Sequence, residues 1–412
     1  MCNGTIMDKL ISFSIPLMLS GILQLMFNAV DIVVVGRFSG SQALAAVGST
    51  TALINVFTNL FIGISLGANV LAARYYATGK TKEMSETVHT AIALALVSGV
   101  AMAVIGVVFA RGALEIMGTP DDVIAKSTLY MRIYFCGMPF FMMYNYGAAI
   151  LRAVGDTKRP LIFLIVSGVI NAILNLFLVI GFHLDVAGVG IATVISQLVS
   201  CILVLRCLHH TESSYQLHLA KLRIRSVYLK QIFEVGVPAG IQSTVINISN
   251  AMLQSSVNSF GSIAMAGYTA SNNIFGFLYV SVNSFTQACM SFTSQNYGVK
   301  KLKRMDRVLI DCMILSVVVT LILGSSVYIF GPELLHIYSN QADVIKYGME
   351  IFSYTTVTYF LCGLMDLFPG ALRGMGYSTV PMILSIIGTV GVRIIWIYGL
   401  FPSHRSCLLY TS

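Results

Sequence analysis

Long apolar runs alternate with short stretches rich in charge and glycine along the whole chain. A helix that crosses a bilayer needs about 20 mostly apolar residues. Runs of that length predict eleven spans, near 10–35, 48–73, 88–109, 124–151, 161–182, 186–208, 232–259, 265–294, 308–330, 344–372 and 380–401. A polar stretch over 206–230 separates the sixth from the seventh. The first run is longer than a signal-peptide core and no small-residue cleavage site follows it, so it is expected to remain as a span.

Composition strengthens this picture. Of 412 residues, 56% are hydrophobic and only 10% charged, and the mean hydropathy is +0.82. Soluble domains carry roughly 25% charged residues, so lipid is the expected solvent for most of the surface. The net charge of +8 could suggest nucleic acid. Its distribution points to membrane topology instead, because Lys and Arg gather in loops on one side of a bilayer. Threading the spans in alternation puts eighteen basic residues on the side of the N-terminus and five on the other. The N-terminus is therefore expected to be cytoplasmic, in a multi-pass protein of the cell (inner or plasma) membrane. The eight cysteines show no CxxC spacing; most sit in apolar runs, as small packing residues. No HExxH or P-loop motif is present, so no enzyme chemistry is expected. His209, His210 and His218 fall in the connector, as metal ligands or as residues of a solvated loop.

The chain repeats itself. Leu151-Arg152-x-x-Gly155-x-x-x-x-Pro160 recurs as Leu372-Arg373-x-x-Gly376-x-x-x-x-Pro381, a shift of 221 residues. The same shift pairs Tyr76 with Tyr297, Lys80 with Lys301 and Phe109 with Phe330, and Pro16 pairs with Pro238 after a one-residue slip. An even number of spans per copy makes both copies enter from one face, related by an axis along the membrane normal. The expected fold is thus all-α, with two six-helix bundles: 1–208, a cytoplasmic connector at 209–230, and 231–402. The second copy stops where the first enters its sixth span, so a twelfth helix is expected to be missing and 403–412 to be an unrelated tail.

Polar residues inside the spans are costly in hydrocarbon, and their placement carries information. Gln24, Asn28 and Asp31 share one face of the first helix, at steps of four and three. Asp31 needs a cavity, a cation or a proton, or else it has reached the outer interface. A carboxylate held this way can exchange H+ or Na+ for a cationic substrate. Asn145, Asn171, Asn175 and Thr193 supply oxygen donors suited to a hard cation or to a carboxylate's hydrogen-bond network; interhelical bonding is the alternative, at about 0.6 kcal/mol each. In the second copy, Asn247, Asn250, Gln254 and Asn258 form a stripe that cannot face lipid, followed by Asn283, Gln287 and Asp366. Asp366 is the repeat-mate of Asn145. Arg132 and Arg393 also lie in spans, where they can snorkel or pair.

Taken together, the two LRxxGxxxxP elements, the VDIVVVGRFSG run around Asp31, the ALAAVG and AMAGYTA pair and the QNYG run at 295–298 resemble the multidrug and toxic compound extrusion (MATE) family over nearly the whole chain to about Phe401. The resemblance implies twelve helices in two lobes, a central cleft and cation-coupled antiport. In many prokaryotic members a cation or proton site lies in the N-terminal lobe. It uses an acid on the first helix, Asn on the fourth, Asn-x-x-x-Asp on the fifth and Thr on the sixth. Those positions match Asp31, Asn145, Asn171, position 175 and Thr193, with Asn175 departing from the pattern. Na+ coordination by Asp31, Asn171, Asn175 and Thr193 is implied, with one carboxylate in place of two.

The function expected is secondary active export of amphipathic, cationic small molecules by H+ or Na+ antiport. A monomer is expected, without cofactor or nucleic acid. Substrate would meet Gln24, Asn28, Asn247, Asn250, Gln254, Asn283, Gln287 and Asp366. Neutralising Asp31 would rearrange the first helix near Pro16 and Gly21. The nearest rival is a flippase for lipid-linked precursors or polysaccharide, which needs a cleft lined by Arg or Lys. A channel would need a charged ring or filter loop, which is not found.

Overall fold

A computed structural model describes residues 1–258 and 261–400; the expected tail at 403–412 lies outside them. In chain order the helices are α1 (Met7–Phe38), α2 (Gly40–Ala77), α3 (Thr81–Ile116), α4 (Asp121–Cys136), α5 (Met138–Ala153), α6 (Lys158–Asn175), α7 (Asp185–His209), α8 (Ser226–Asn258), α9 (Ser262–Gly298), α10 (Leu302–Ile329), α11 (Gly331–His336), α12 (Ala342–Met375), α13 (Thr379–Ser385) and α14 (Val392–Ile395). Three π-helical turns, Leu176–Gly181, Ile386–Gly391 and Trp396–Leu400, extend α6, α13 and α14. Among the described residues there is no strand.

Each of the eleven expected spans falls on this helical framework. Eight helical runs are long and apolar enough to cross a membrane by themselves, among the described residues. The other three are the α4–α5 pass, α8 and α9. The last two carry the polar stripes, which lower their mean hydropathy. The fourth span was expected as one helix and is broken at Gly137. Pro139 explains the break: it has no N–H to donate and starts a new helix well. Accordingly the Phe140 and Phe141 N–H groups turn to the Gly137 carbonyl, at 3.0 and 3.1 Å. By contrast α1 runs unbroken through Pro16, where the Ser20 hydroxyl donates to the Pro16 carbonyl at 2.7 Å.

Packing divides the chain at places other than the connector. One compact unit is Ile22–Gly240; the other is Met1–Gly21 together with the chain from Ile241 on. Helices α1 and α8 are therefore each shared between units. The reason is backbone contact. Gly63 and Gly67 of α2 meet Gly236 and Gly240 of α8 so closely that a Cβ on Gly63 would sit 2.2 Å from the Gly240 Cα, and one on Gly67 would sit 2.1 Å from the Ile232 carbonyl oxygen. This is the small-xxx-small geometry by which membrane helices approach without a hydrophobic driving force. In the other unit, Leu10, Phe13 and Leu17 of α1 pack with Phe285, Cys289 and Phe292 of α9 in one apolar cluster, with Phe13 and Phe292 edge-to-face at 5.5 Å.

The connector is strapped to the first of these units. Leu217 is fully buried, and Glu86 of α3 takes ion pairs from both Arg223 and Arg225. His89 Nδ1 lies 2.6 Å from the Ser85 carbonyl, so that nitrogen donates and Nε2 accepts the His218 N–H at 3.1 Å. His209 Nδ1 bonds the Leu217 carbonyl at 3.0 Å. The connector histidines thus hold backbone, and no metal-ligating cluster of three occurs among the described residues. Burial, then Lys221, His89 and His209, hold the His218 imidazole below its usual range. Replacing Glu86 by Gln releases both arginines. Tryptic cleavage after Arg223 and Arg225 in the detergent-solubilised protein should then quicken several-fold, with cleavage at Lys300 and Lys301 unchanged as the internal control.

Candidate functional site

Asp31 lies seven residues before the end of α1, on the face defined by Phe27 and Asp31. Opposite it, α6 presents Gly168, Asn171 and Asn175, again on one face. Gly168 permits the approach, because a Cβ there would stand 1.9 Å from the Phe27 ring. The two faces meet in a chain of amides. Asn175 Nδ2 donates to Asp31 Oδ1 in a short bond and to Asn171 Oδ1 at 3.1 Å. Both amides are buried, Asn175 completely and Asn171 to 6% exposure. Asp31 itself keeps a partial opening.

Two features mark this cluster as unfinished. Asn175 Oδ1 is buried and accepts no hydrogen bond. No Lys or Arg lies within ion-pair distance of Asp31 among the described residues. A buried acceptor without a donor carries a desolvation cost of about 1–3 kcal/mol. An oxygen-rich pocket of this kind is satisfied by a proton on Asp31 or by a hard cation, which takes carboxylate and amide oxygens as ligands.

Sequence reasoning missed two aromatic neighbours of Asp31. Tyr130 and Tyr134 of α4 lie within electrostatic reach of Asp31, with Tyr130 at 7% exposure. Gln197 of α7 approaches Gly137 and has an unpartnered buried Oε1. A one-turn step from Tyr130 to Tyr134 was visible, but nothing in the sequence said that this face of α4 would come within electrostatic reach of Asp31.

Of the other expected members, Asn145 and Thr193 bond within their own helices. Asn145 donates from Nδ2 to the Phe141 carbonyl at 2.8 Å, and Thr193 donates to the Val189 carbonyl at 2.9 Å. Each satisfies its own helix. Asn145 also lies eleven residues beyond Tyr134 along α4–α5, a rise of about 16 Å. Gln24 and Asn28 are exposed on α1.

In the other unit, Asn247 and Asn250 are exposed on α8, and Gln254, Asn283, Gln287 and Asp366 are half-buried. Asn247 donates to the Ser243 carbonyl at 2.9 Å. Asp366 shares electrostatic surroundings with Arg373, Tyr279 and Tyr359. Arg373 donates to Gln242 Oε1 at 2.5 Å, and Gln242 donates in turn to Ser385 Oγ at 2.7 Å. Arg393 pairs with amide and hydroxyl oxygens on α8, whereas Arg132 Nε donates to the Val107 carbonyl at 3.2 Å.

Comparison with known proteins agrees with the doubling. The family model described as MatE matches twice, over residues 16–177 and 238–398. The chain is 29% identical over 389 residues to the "Probable multidrug resistance protein YoeA" of Bacillus subtilis (strain 168), covering 93% of this chain and 84% of that protein. It is 23% identical to the "Multidrug export protein MepA" of Staphylococcus saprophyticus, covering 97% and 89%. Among solved structures, an outward-facing multidrug resistance MATE family transporter of the MOP superfamily superposes with a TM-score of 0.91 at 20% identity, over 99% of this chain and 92% of that one. The two-lobe, all-helical membrane fold is therefore that of these transporters, and with the family model covering both halves of the sequence, the chain belongs to the MatE family.

Proposed function

We propose that the protein exports amphipathic, cationic small molecules across the cell membrane, driven by inward H+ or Na+ flow through the Asp31 cluster. The observation that carries this reading is the uncompensated Asp31 carboxylate bonded to a fully buried amide whose own oxygen is orphaned. Such a site binds a proton or a cation strongly when it is dry and weakly when the carboxylate is wet. That difference lets an ion gradient drive a two-state transporter, since a ligand shifts an equilibrium only through differential affinity. The names of the relatives, multidrug resistance and multidrug export proteins, support the direction and substrate type. In this reading Gln24 and Asn28 in one unit, and Asn247, Asn250, Gln254, Asn283, Gln287 and Asp366 in the other, contact substrate, and the excess of basic residues in loops on its side supports a cytoplasmic N-terminus.

Asn175 in place of an acid lowers the charge available to a metal ion, which favours H+ over Na+. The test is export of a cationic dye by the protein in proteoliposomes, with pH and Na+ gradients imposed separately. The expected result is dye movement under the pH gradient. Movement that is insensitive to both gradients would remove the antiport assignment.

A further inference from the structure

Arg393 has an environment that the Asp31 chemistry does not use. It lies in α14, a single turn held between two π-helical segments. Such π-turns break the regular side-chain rotation of a helix and recur at functional sites. Its Nη1 donates to Ser249 Oγ at 3.1 Å and to Asn250 Oδ1 at 2.7 Å. Ser249 is buried and Asn250 exposed, so the guanidinium is fixed against α8 beside the exposed amides of Asn247 and Asn250.

No carboxylate lies within ion-pair distance of Arg393 among the described residues. The contacts to Ser249 and Asn250 both leave from Nη1, so Nη2 and Nε remain without a hydrogen-bond acceptor there. A second donor is in the same condition: the Trp396 indole N–H, three residues on at the start of the following π-helical segment, is buried without an acceptor. Two donor-only groups three residues apart in the chain, one of them a fixed cation, call for an acceptor that brings negative charge. Guanidinium forks bind carboxylate and phosphate oxygens in pairs. Asp366 does not fill this role, since no ion pair joins it to Arg393 among the described residues.

We propose that Arg393, with the Trp396 N–H three residues on, recognises an anionic group, a carboxylate or phosphate, on the polar end of an amphiphile. This deepens the transport reading and rests on it for the idea that the polar face of this lobe meets substrate. The amphiphiles handled then include zwitterions, with the cationic end left for Asp366.

Trp396 is the sole tryptophan of the chain, so its fluorescence reports on the site directly. The protein in phosphatidylcholine nanodiscs is titrated with dodecyl phosphate and, in parallel, with dodecyltrimethylammonium, which share a tail and differ in charge. Dodecyl phosphate should change the Trp396 emission saturably, and Arg393→Gln should weaken its apparent affinity about 10-fold or more. Dodecyltrimethylammonium should give no saturable change that depends on Arg393. If Arg393→Gln does not fold, Arg393→Lys carries the test, keeping a charge but losing the fork, with an expected loss of about 3-fold to 10-fold. Unchanged dodecyl phosphate affinity in the folded variant, or an equal Arg393-dependent response to the cationic amphiphile, would overturn the assignment.

Nanodiscs containing phosphatidylglycerol separate the two sources of anion. Emission already at its shifted value, with no further titration, assigns the site to a lipid headgroup. A titration that persists assigns it to a transported amphiphile. Binding needs no gradient, so a protein that binds dodecyl phosphate at Arg393 yet moves no dye keeps this inference and loses the transport reading; active export without Arg393-dependent binding does the reverse.

Discussion

Asp31→Asn is expected to abolish gradient-driven export while leaving the protein folded. The substitution keeps the shape of the side chain and its contact with Asn175. It removes the only group of the cluster that can change charge. Coupling between two ligands of a transporter is a free energy, typically about 1–3 kcal/mol or roughly 5-fold to 150-fold in affinity. With Asp31 neutral at every pH, that coupling vanishes, and substrate affinity becomes independent of pH and Na+. Dye binding measured across pH 5.5 to 8.5 should vary for the wild type and stay flat for Asp31→Asn. Dye efflux by the variant should fall to that of protein-free liposomes even under a full pH gradient. Ion-dependent extrusion retained by Asp31→Asn would exclude this carboxylate as the coupling group, and Asp366 would become the next candidate. The bland alternative, a carboxylate at the outer interface, predicts normal export.

The second large effect is structural. A side chain at Gly63, Gly67, Gly236 or Gly240 would meet backbone, which cannot step aside: the added Cβ would lie 2.1–2.5 Å from main-chain atoms of the facing helix. Overpacking a close-packed interface costs typically 1–3 kcal/mol, and more where relief requires backbone movement. Gly63→Val and Gly236→Leu should each push α2 and α8 apart, with a large loss of monodisperse protein after detergent extraction and a clear fall in thermal midpoint. Gly112 and Gly48 have nothing within 4 Å of an added Cβ. Alanine at those sites should be neutral or slightly stabilising, since glycine in a helix costs roughly 0.5–1 kcal/mol relative to alanine. Equal losses at both classes of glycine would show that α2–α8 contact is not special.

The amino-acid sequence by itself determined the class of solvent, the succession of long apolar runs, the doubling and the placement of costly polar groups. Each of these rests on local chemistry. Twenty apolar residues in a row need lipid, a repeated LRxxGxxxxP needs a repeated unit, and Asp31 with Asn28 and Gln24 shares a face through helix geometry alone. The link between Asp31 and the Asn171–Asn175 face was also legible, because one-turn spacing made both faces polar and the family resemblance joined them. Tertiary structure decided what those faces touch. Asn145 and Thr193 turn to their own helices because a carbonyl one turn back is always available to a short polar side chain. Tyr130, Ile133 and Gln197 meet across the helices because Gly137 and Gly190 let α4 and α7 approach, a fact about two surfaces that no single run of sequence contains. The sharing of α1 and α8 between units has the same origin. Their halves look alike in hydropathy, and only the shape of the glycine-lined contact, at backbone distance, selects the neighbour that each half keeps.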